Sequence, residues 1–230
     1  MTDTTNDRPP LRDAIVDAAL ALAERHHWEA VRLHDVAAKL GITLDDIRAH
    51  FREKEEIAEA WFDRADGAML RARDTAGFDA LSPRHRIHRL IMAWLDALAP
   101  YRAVTRQMIL GKLEPGHLHI QIPGLMRVSR TVQWVREAAG RDATFVRRAL
   151  EETGLTTIYL VTFTHWLRDD SPRTERTRRF LDRRLLEAER LDRLVFRRGG
   201  QKITLALPAQ TEASAMATEA TEAPQQTRPR

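Results

Sequence analysis

The chain contains no cysteine. That excludes a disulfide framework, a thiolate metal site and a cysteine nucleophile, and it fits a reducing compartment. Long apolar runs are also missing. The least polar stretch, 154–167, carries four threonines and a histidine and falls short of the ~20 apolar residues that a membrane span needs. The first seven residues are polar and acidic, which excludes a signal peptide there. The glycines form no phosphate-cradling loop, dinucleotide fingerprint or nucleophile elbow. His85 and His88 share a helical face and His117 and His119 flank one leucine, yet no carboxylate or thiol completes a metal site by spacing. The expectation is a soluble cytosolic protein that is not an enzyme and carries no cofactor or metal.

What is present is ordinary in amount and uneven in placement. Of 230 residues, 43% are hydrophobic and 30% charged, enough to bury a real core. Through Gly77 there are 11 Lys and Arg against 16 Asp and Glu, a net of −5; the remainder holds 26 against 17, and the whole carries +4. Binding to nucleic acid draws most of its affinity from neutralised phosphates, so an acidic N-terminal third speaks against a broad basic footprint there.

Apolar residues recur at helical spacing over most of the chain. Leu11 to His26 reads as one helix, with Ile15, Ala18, Ala19 and Leu22 inward. Further helices are expected up to Arg73 from Glu53, from Ser82-Pro83 to Pro100, and over 102–112, 126–139, 143–167 and 173–196. No segment alternates as a strand would, so the fold class is all-α. Residues 1–9 and the Ala-, Thr-, Glu- and Pro-rich segment 199–230 read as disordered. Between them lie a small helical domain, 10–56, and a larger one, 57–198.

The segment 31–54 joins two short helices through Gly41. Val36, Ala37 and Leu40 give the first an inner face, Gly41 suits a left-handed turn, and Thr43 with Asp46 forms a capping pattern for the second. A short helix, a glycine turn and a second short helix make the unit that places a reading helix in the DNA major groove. With Ala18-Ala19-Leu20, Trp28, Asp35-Val36-Ala37, Gly41-Ile42-Thr43 and Phe51 before Lys54-Glu55, this region resembles the TetR family of bacterial transcriptional regulators. The resemblance implies a three-helix DNA-binding head, a larger ligand-binding and dimerisation domain, and a homodimer on operator DNA. Carried onto this chain, the candidate DNA contacts are Arg32, Thr43, Leu44, Arg48, His50 and Lys54. Asp45 and Asp46 open the reading helix, where they favour its dipole but repel phosphate.

The segment 134–190 has its own likeness. Trp134-Val-Arg-Glu-Ala-Ala-Gly140, Ile158-Tyr159, Trp166-Leu-Arg-Asp-Asp-Ser-Pro172 and Phe180-Leu-Asp-Arg-Arg-Leu185 resemble the C-terminal domain of lipid-binding accessory proteins of ubiquinone biosynthesis. That family's Trp-Tyr-Thr run is here Thr144-Phe145-Val146. The resemblance implies an isoprenoid lipid held between helices. Trp94, Met108, Ile109, Leu125, Trp134, Tyr159, Phe163 and Trp166 are large soft side chains at helical spacing, able to line an apolar pocket or to form ordinary core. Over 171–198 there are 10 basic and 5 acidic side chains. There Leu181, Leu185, Leu191 and Leu194 suit either a helix lying on an anionic membrane at the inner face or a dimer-packing helix.

Two readings result. One is a TetR-type regulator of operator DNA controlled by an apolar small molecule. The other is a ubiquinone-biosynthesis accessory protein that binds isoprenoid lipid and membrane and does not bind DNA.

Overall fold

Helix α1 (Leu11–His26) buries Ile15, Val16, Ala19, Leu20 and Ala23 on one side and shows Asp13 and Asp17 on the other. The computed structural model describes residues 10–112, 128, 130–140 and 145–199. After α1 the backbone turns at His27, whose φ of 72° is left-handed, into a single 3₁₀ turn at Trp28–Ala30 that buries Trp28. Helix α2 (Leu33–Leu40) buries Val36 and Ala37 and ends on Gly41 at φ 67°. Helix α3 (Leu44–Arg48) starts from Thr43 with a complete capping box: the Asp46 amide donates to the Thr43 hydroxyl oxygen at 3.1 Å, and the Thr43 amide donates to the Asp46 carboxylate at 2.8 Å.

Helix α4 (Lys54–Arg73) is the long bridge of the molecule. Ile57, Ala58 and Trp61 lie near its start and Ala65 and Met69 near its end, all buried. It packs along α5 (Pro83–Leu98) and against α1. Arg64 ties α4 to α1, donating to the Asp13 carboxylate at 2.9 Å and to the Asp17 carboxylate at 2.5 Å. Ser82 caps α5 with Pro83 at its first position, where a missing N–H costs nothing. Helix α6 is Arg102–Lys112, α7 covers 130–138, α8 is Phe145–Trp166 and α9 is Glu175–Gly199. Among the described residues there are helices and turns and no strand.

The chain divides into two units, Met1–Glu189 and Arg190–Arg230. The first holds the core, in which Ile15, Leu20, Ile47, Phe51, Ile57, Leu90, Leu95 and Trp166 are almost fully enclosed. Each such side chain contributes about 1.5–3 kcal/mol by leaving water. Within the second unit, the described residues are the last turns of α9.

The sequence pattern starts the last helix at Arg173, but the structure inserts a 3₁₀ turn, Pro172–Thr174, with Arg173 and Thr174 at φ 50° and 54°. The cause is Asp169. Its buried carboxylate accepts from the Ser171 amide at 2.9 Å and hydroxyl at 2.6 Å, and from the Thr177 amide at 2.8 Å and hydroxyl at 2.6 Å. Four donors on one carboxylate fix the corner between α8 and α9 and outweigh the local strain. Arg102 also donates to the Asp169 carbonyl, which ties α6 to the same corner.

Candidate functional site

The α2–α3 unit presents a polar outer face over a packed inner one. Ile47 and Phe51 point inward, and Arg12 lies over the Phe51 ring at 5.0 Å. Arg32, Thr43, Leu44, Arg48 and His50 are all exposed. Arg32 stands at the start of α2 with its side chain free of the cap, and Leu44 is 51% exposed at the first position of α3. The Thr43 hydroxyl is engaged by Asp46 at 2.7 Å. Arg48 donates from Nε to Asp45 at 3.1 Å with both groups in solvent, an ion pair of small net worth that a phosphate can displace. The Asp46 carboxyl is held below its ordinary pKa, chiefly by the Thr43 hydroxyl and then by the Thr43 amide.

Lys54 lies elsewhere than the sequence reading expected. Its side chain is only 19% exposed, with Nζ 3.7 Å from the Glu29 carboxylate and donating to the carbonyls of Trp28 and Glu29 at 3.3 and 3.4 Å. It also sits 5.4 Å from the centre of the Trp28 ring. Lys54 closes the 3₁₀ turn from the α4 side. From the other side, the Gln107 side-chain oxygen of α6 accepts from the Trp28 amide at 2.8 Å. Trp28, Lys54 and Gln107 thus tie the 3₁₀ turn after α1 to both α4 and α6. Sequence reasoning missed Gln107, because a single glutamine 79 residues from its partner leaves no periodic signal.

The apolar candidates divide. Trp94, Met108, Tyr159, Phe163 and Trp166 are buried. Trp94 meets Tyr159 and Phe163 edge-on at 5.4 and 5.6 Å and stacks on Phe62 at 6.1 Å. Phe163 stacks in turn on Trp166 at 5.8 Å. Each such pair adds about 0.5–1.5 kcal/mol beyond its burial. Ile109 is half-buried against this core. Trp134 is a correction: it is 46% exposed, because the neighbouring α7 positions Val135 and Ala138 take the inward face. Leu125 lies outside the described residues, as do Met126, His117 and His119.

The aromatic core has polar fittings. Asp66 on α4 accepts from the Trp94 indole at 2.7 Å and from the Thr131 hydroxyl at 3.1 Å. Among the described residues, the Thr162 hydroxyl and the Trp166 indole N–H are buried without a hydrogen-bond partner. They lie one turn apart on α8, on the face that carries Tyr159 and Phe163.

The leucines of α9 also divide. Leu181 and Leu185 are 0% and 5% exposed, so they belong to the protomer's own core and not to a membrane or partner surface. Leu191 and Leu194 are 61% and 57% exposed. No helix among the described residues is long and apolar enough to cross a membrane.

Comparison with known proteins bears on this arrangement. A TetR transcriptional regulator from Nitrosomonas europaea ATCC 19718 is 58% identical, with a TM-score of 0.71 over 79% of this chain and 99% of that one. The chain belongs to the TetR family of transcriptional regulators. A TetR transcriptional regulator from Rhodococcus sp. RHA1 shares the fold at 20% identity and a TM-score of 0.55, over 76% of this chain and 95% of that one. The COQ9 family model matches residues 137–192, which hold α8, the Asp169 corner and most of α9. No curated protein matches. A TetR-type fold therefore carries a COQ9-like C-terminal segment, as the two sequence resemblances implied.

Proposed function

We propose that this TetR-family chain works as a homodimer on operator DNA, read by α3, and is released by an apolar effector bound within the aromatic core. The observation that carries the DNA reading is the exposed face of α2 and α3: Arg32, Leu44, Arg48 and His50 stand free of the core around the left-handed turn at Gly41. Arginine and histidine suit base edges and phosphates, and an exposed leucine suits a thymine methyl. The effector reading rests on the Trp94–Tyr159–Phe163–Trp166 cluster with its two unpartnered polar atoms, Thr162 Oγ1 and Trp166 Nε1. Those atoms favour an apolar molecule that also offers a hydrogen-bond acceptor such as a carbonyl. The effector acts by binding more tightly to the conformation that fits DNA poorly. The exposed Leu160 and Val161 of α8, and by themselves Leu191 and Leu194 of α9, suit a partner protomer.

The test is a fluorescence-anisotropy titration of labelled DNA from the gene's own neighbourhood against unrelated DNA, at low salt and at ~150 mM. The expected result is saturable, sequence-dependent binding that survives the higher salt and weakens at least about tenfold in Arg48→Ala/His50→Ala. Equal, salt-erased binding to both DNAs would sink this reading.

The COQ9 match over 137–192 favours one second reading: lipid handling at a membrane surface without DNA recognition. Anionic liposomes run in parallel separate the two. Firm liposome binding beside absent specific DNA binding supports the lipid reading.

A further inference from the structure

Outside the reading head and the aromatic core, α9 and His165 of α8 line a cleft of about 330 Å³ with Arg176, Arg179, Phe180, Arg183, Arg184 and Glu187. Its floor is a ring stack. The His165 imidazole lies nearly parallel to Phe180 with centroids 4.6 Å apart, and the Arg184 guanidinium sits 5.0 Å from the Phe180 centroid.

The Asp169 corner sets the imidazole's orientation. Thr177 gives its one hydroxyl proton to Asp169 at 2.6 Å, so at the 3.1 Å contact between His165 Nδ1 and the same hydroxyl the histidine must be the donor. The ring therefore carries its proton on Nδ1 and is pinned to the α9 backbone through Thr177.

The charges of the cleft are unbalanced. Arg179 is matched by Glu175 at 2.8 Å and Arg184 by Glu187 at 2.9 Å. Among the described residues, Arg176 and Arg183 have no carboxylate within 4 Å. Arg176, Arg179 and Arg183 follow at three- and four-residue spacing, where like charges repel. A helix that keeps such a row over an apolar ring offers a place for an anion that carries its own apolar body.

We propose that this cleft binds a phosphate ester: the arginines take the phosphate oxygens and the His165–Phe180 stack takes the attached apolar or ring-bearing group. Guanidinium groups match phosphate in forked, paired hydrogen bonds, and a monoester brings about −1.5 to −2 charges and three acceptor oxygens. The volume lies at the small end of ligand sites, suited to a phosphate plus one ring or a short acyl stretch. A free phosphorylated metabolite and a phospholipid headgroup share this chemistry. The inference stands apart from the DNA reading and does not depend on it.

The experiment uses the full-length protein at ~150 mM salt, with phenyl phosphate and inorganic phosphate titrated by calorimetry. Vesicles with ~30 mol % phosphatidylglycerol are tested by co-sedimentation, since anionic leaflets attract basic clusters in any case. Arg176→Ala/Arg183→Ala should weaken phenyl phosphate at least about tenfold with an unchanged melting temperature, because both side chains are exposed. Phe180→Leu should remove the preference for phenyl phosphate over inorganic phosphate. Phenyl phosphate binding without vesicle binding assigns the cleft to a free ester. Vesicle binding that disappears in the double-arginine variant, with no response to phenyl phosphate, assigns it to a headgroup. Absence of binding by both probes, binding unchanged in that variant, or an effect of the variant on oligomeric state alone would overturn the proposal.

Discussion

At the residue scale, single side chains hold together what helix packing leaves open. Asp169 is the strongest case. Burial pushes its carboxyl pKa up, but the hydroxyls and amides of Ser171 and Thr177 outweigh that and hold it well below the ordinary carboxylate range. A depressed folded pKa contributes stability that is complete above the unfolded value of about 3.9 and is lost as pH falls through the folded value. Acid titration of thermal stability should therefore show a loss below pH ~4 that is absent in Asp169→Asn. That variant should already be weaker at neutral pH by about 2–3 kcal/mol, since an amide cannot accept at both positions. Asp45 offers the opposite test. It occupies Arg48 at 3.1 Å in solvent, so Asp45→Ala should free the arginine, remove a repulsion and tighten DNA binding several-fold. Unchanged or weaker binding in the same titration would count against Arg48 as a contact. Asp46→Ala is a poor substitute, because it removes the capping box as well.

At the element scale, local chemistry made most helices readable and long-range geometry hid the rest. The ends of α1 and α6 and the Thr43 cap followed from spacing, proline and capping signals, all set by nearest neighbours. Tyr159, Phe163 and Trp166 were legible as a stripe of large rings on α8, and Trp94 as a large ring at an apolar position of α5. Which stripe faces inward was not always legible. On α9, Leu181 and Leu185 are buried while Leu191 and Leu194 are exposed, and apolar spacing alone cannot rank the two pairs. The internal contacts of Lys54 were hidden for a related reason: its partners are carbonyls 25 and 26 residues away, and a sequence does not display which backbone groups lack a donor. The two leucine pairs yield a prediction. Leu185→Ser should lower stability by about 2–4 kcal/mol in chemical denaturation. Leu191→Ser should leave the fold intact and weaken self-association in analytical ultracentrifugation. For the turn of the reading head, Gly41→Ala should cost about 1 kcal/mol through its φ of 67°, because no neighbour lies within 4 Å of the added carbon.

At the scale of the whole molecule, the proposed release of DNA by an effector depends on how the 3₁₀ turn at Trp28–Ala30 is held. Gln107 and Lys54 grip the same 3₁₀ turn from α6 and α4. Gln107→Ala leaves the Trp28 amide without its partner, and the expected loss is about 1–2 kcal/mol. Hydrogen exchange should then accelerate across residues 28–50 and stay unchanged in α5; uniform acceleration would mean that the bond supports the core and not the turn. Charge acts at the same scale. The N-terminal third carries a net of −5, so few phosphates are neutralised and the salt dependence of specific DNA binding should be shallow.

Helix α4 has a mechanical consequence as well. Its 20 residues form a rod of about 30 Å, with Lys54 clamped beneath the head at one end and Asp66 tethered to Trp94 and Thr131 toward the other. A tilt of about 6° in a rod of that length displaces its tip by about 3 Å, close to the ~3.4 Å step between successive bases. On the proposed function, gearing of this kind would let a shift of one ring beside Asp66 slide each head of the dimer nearly a full base step out of register.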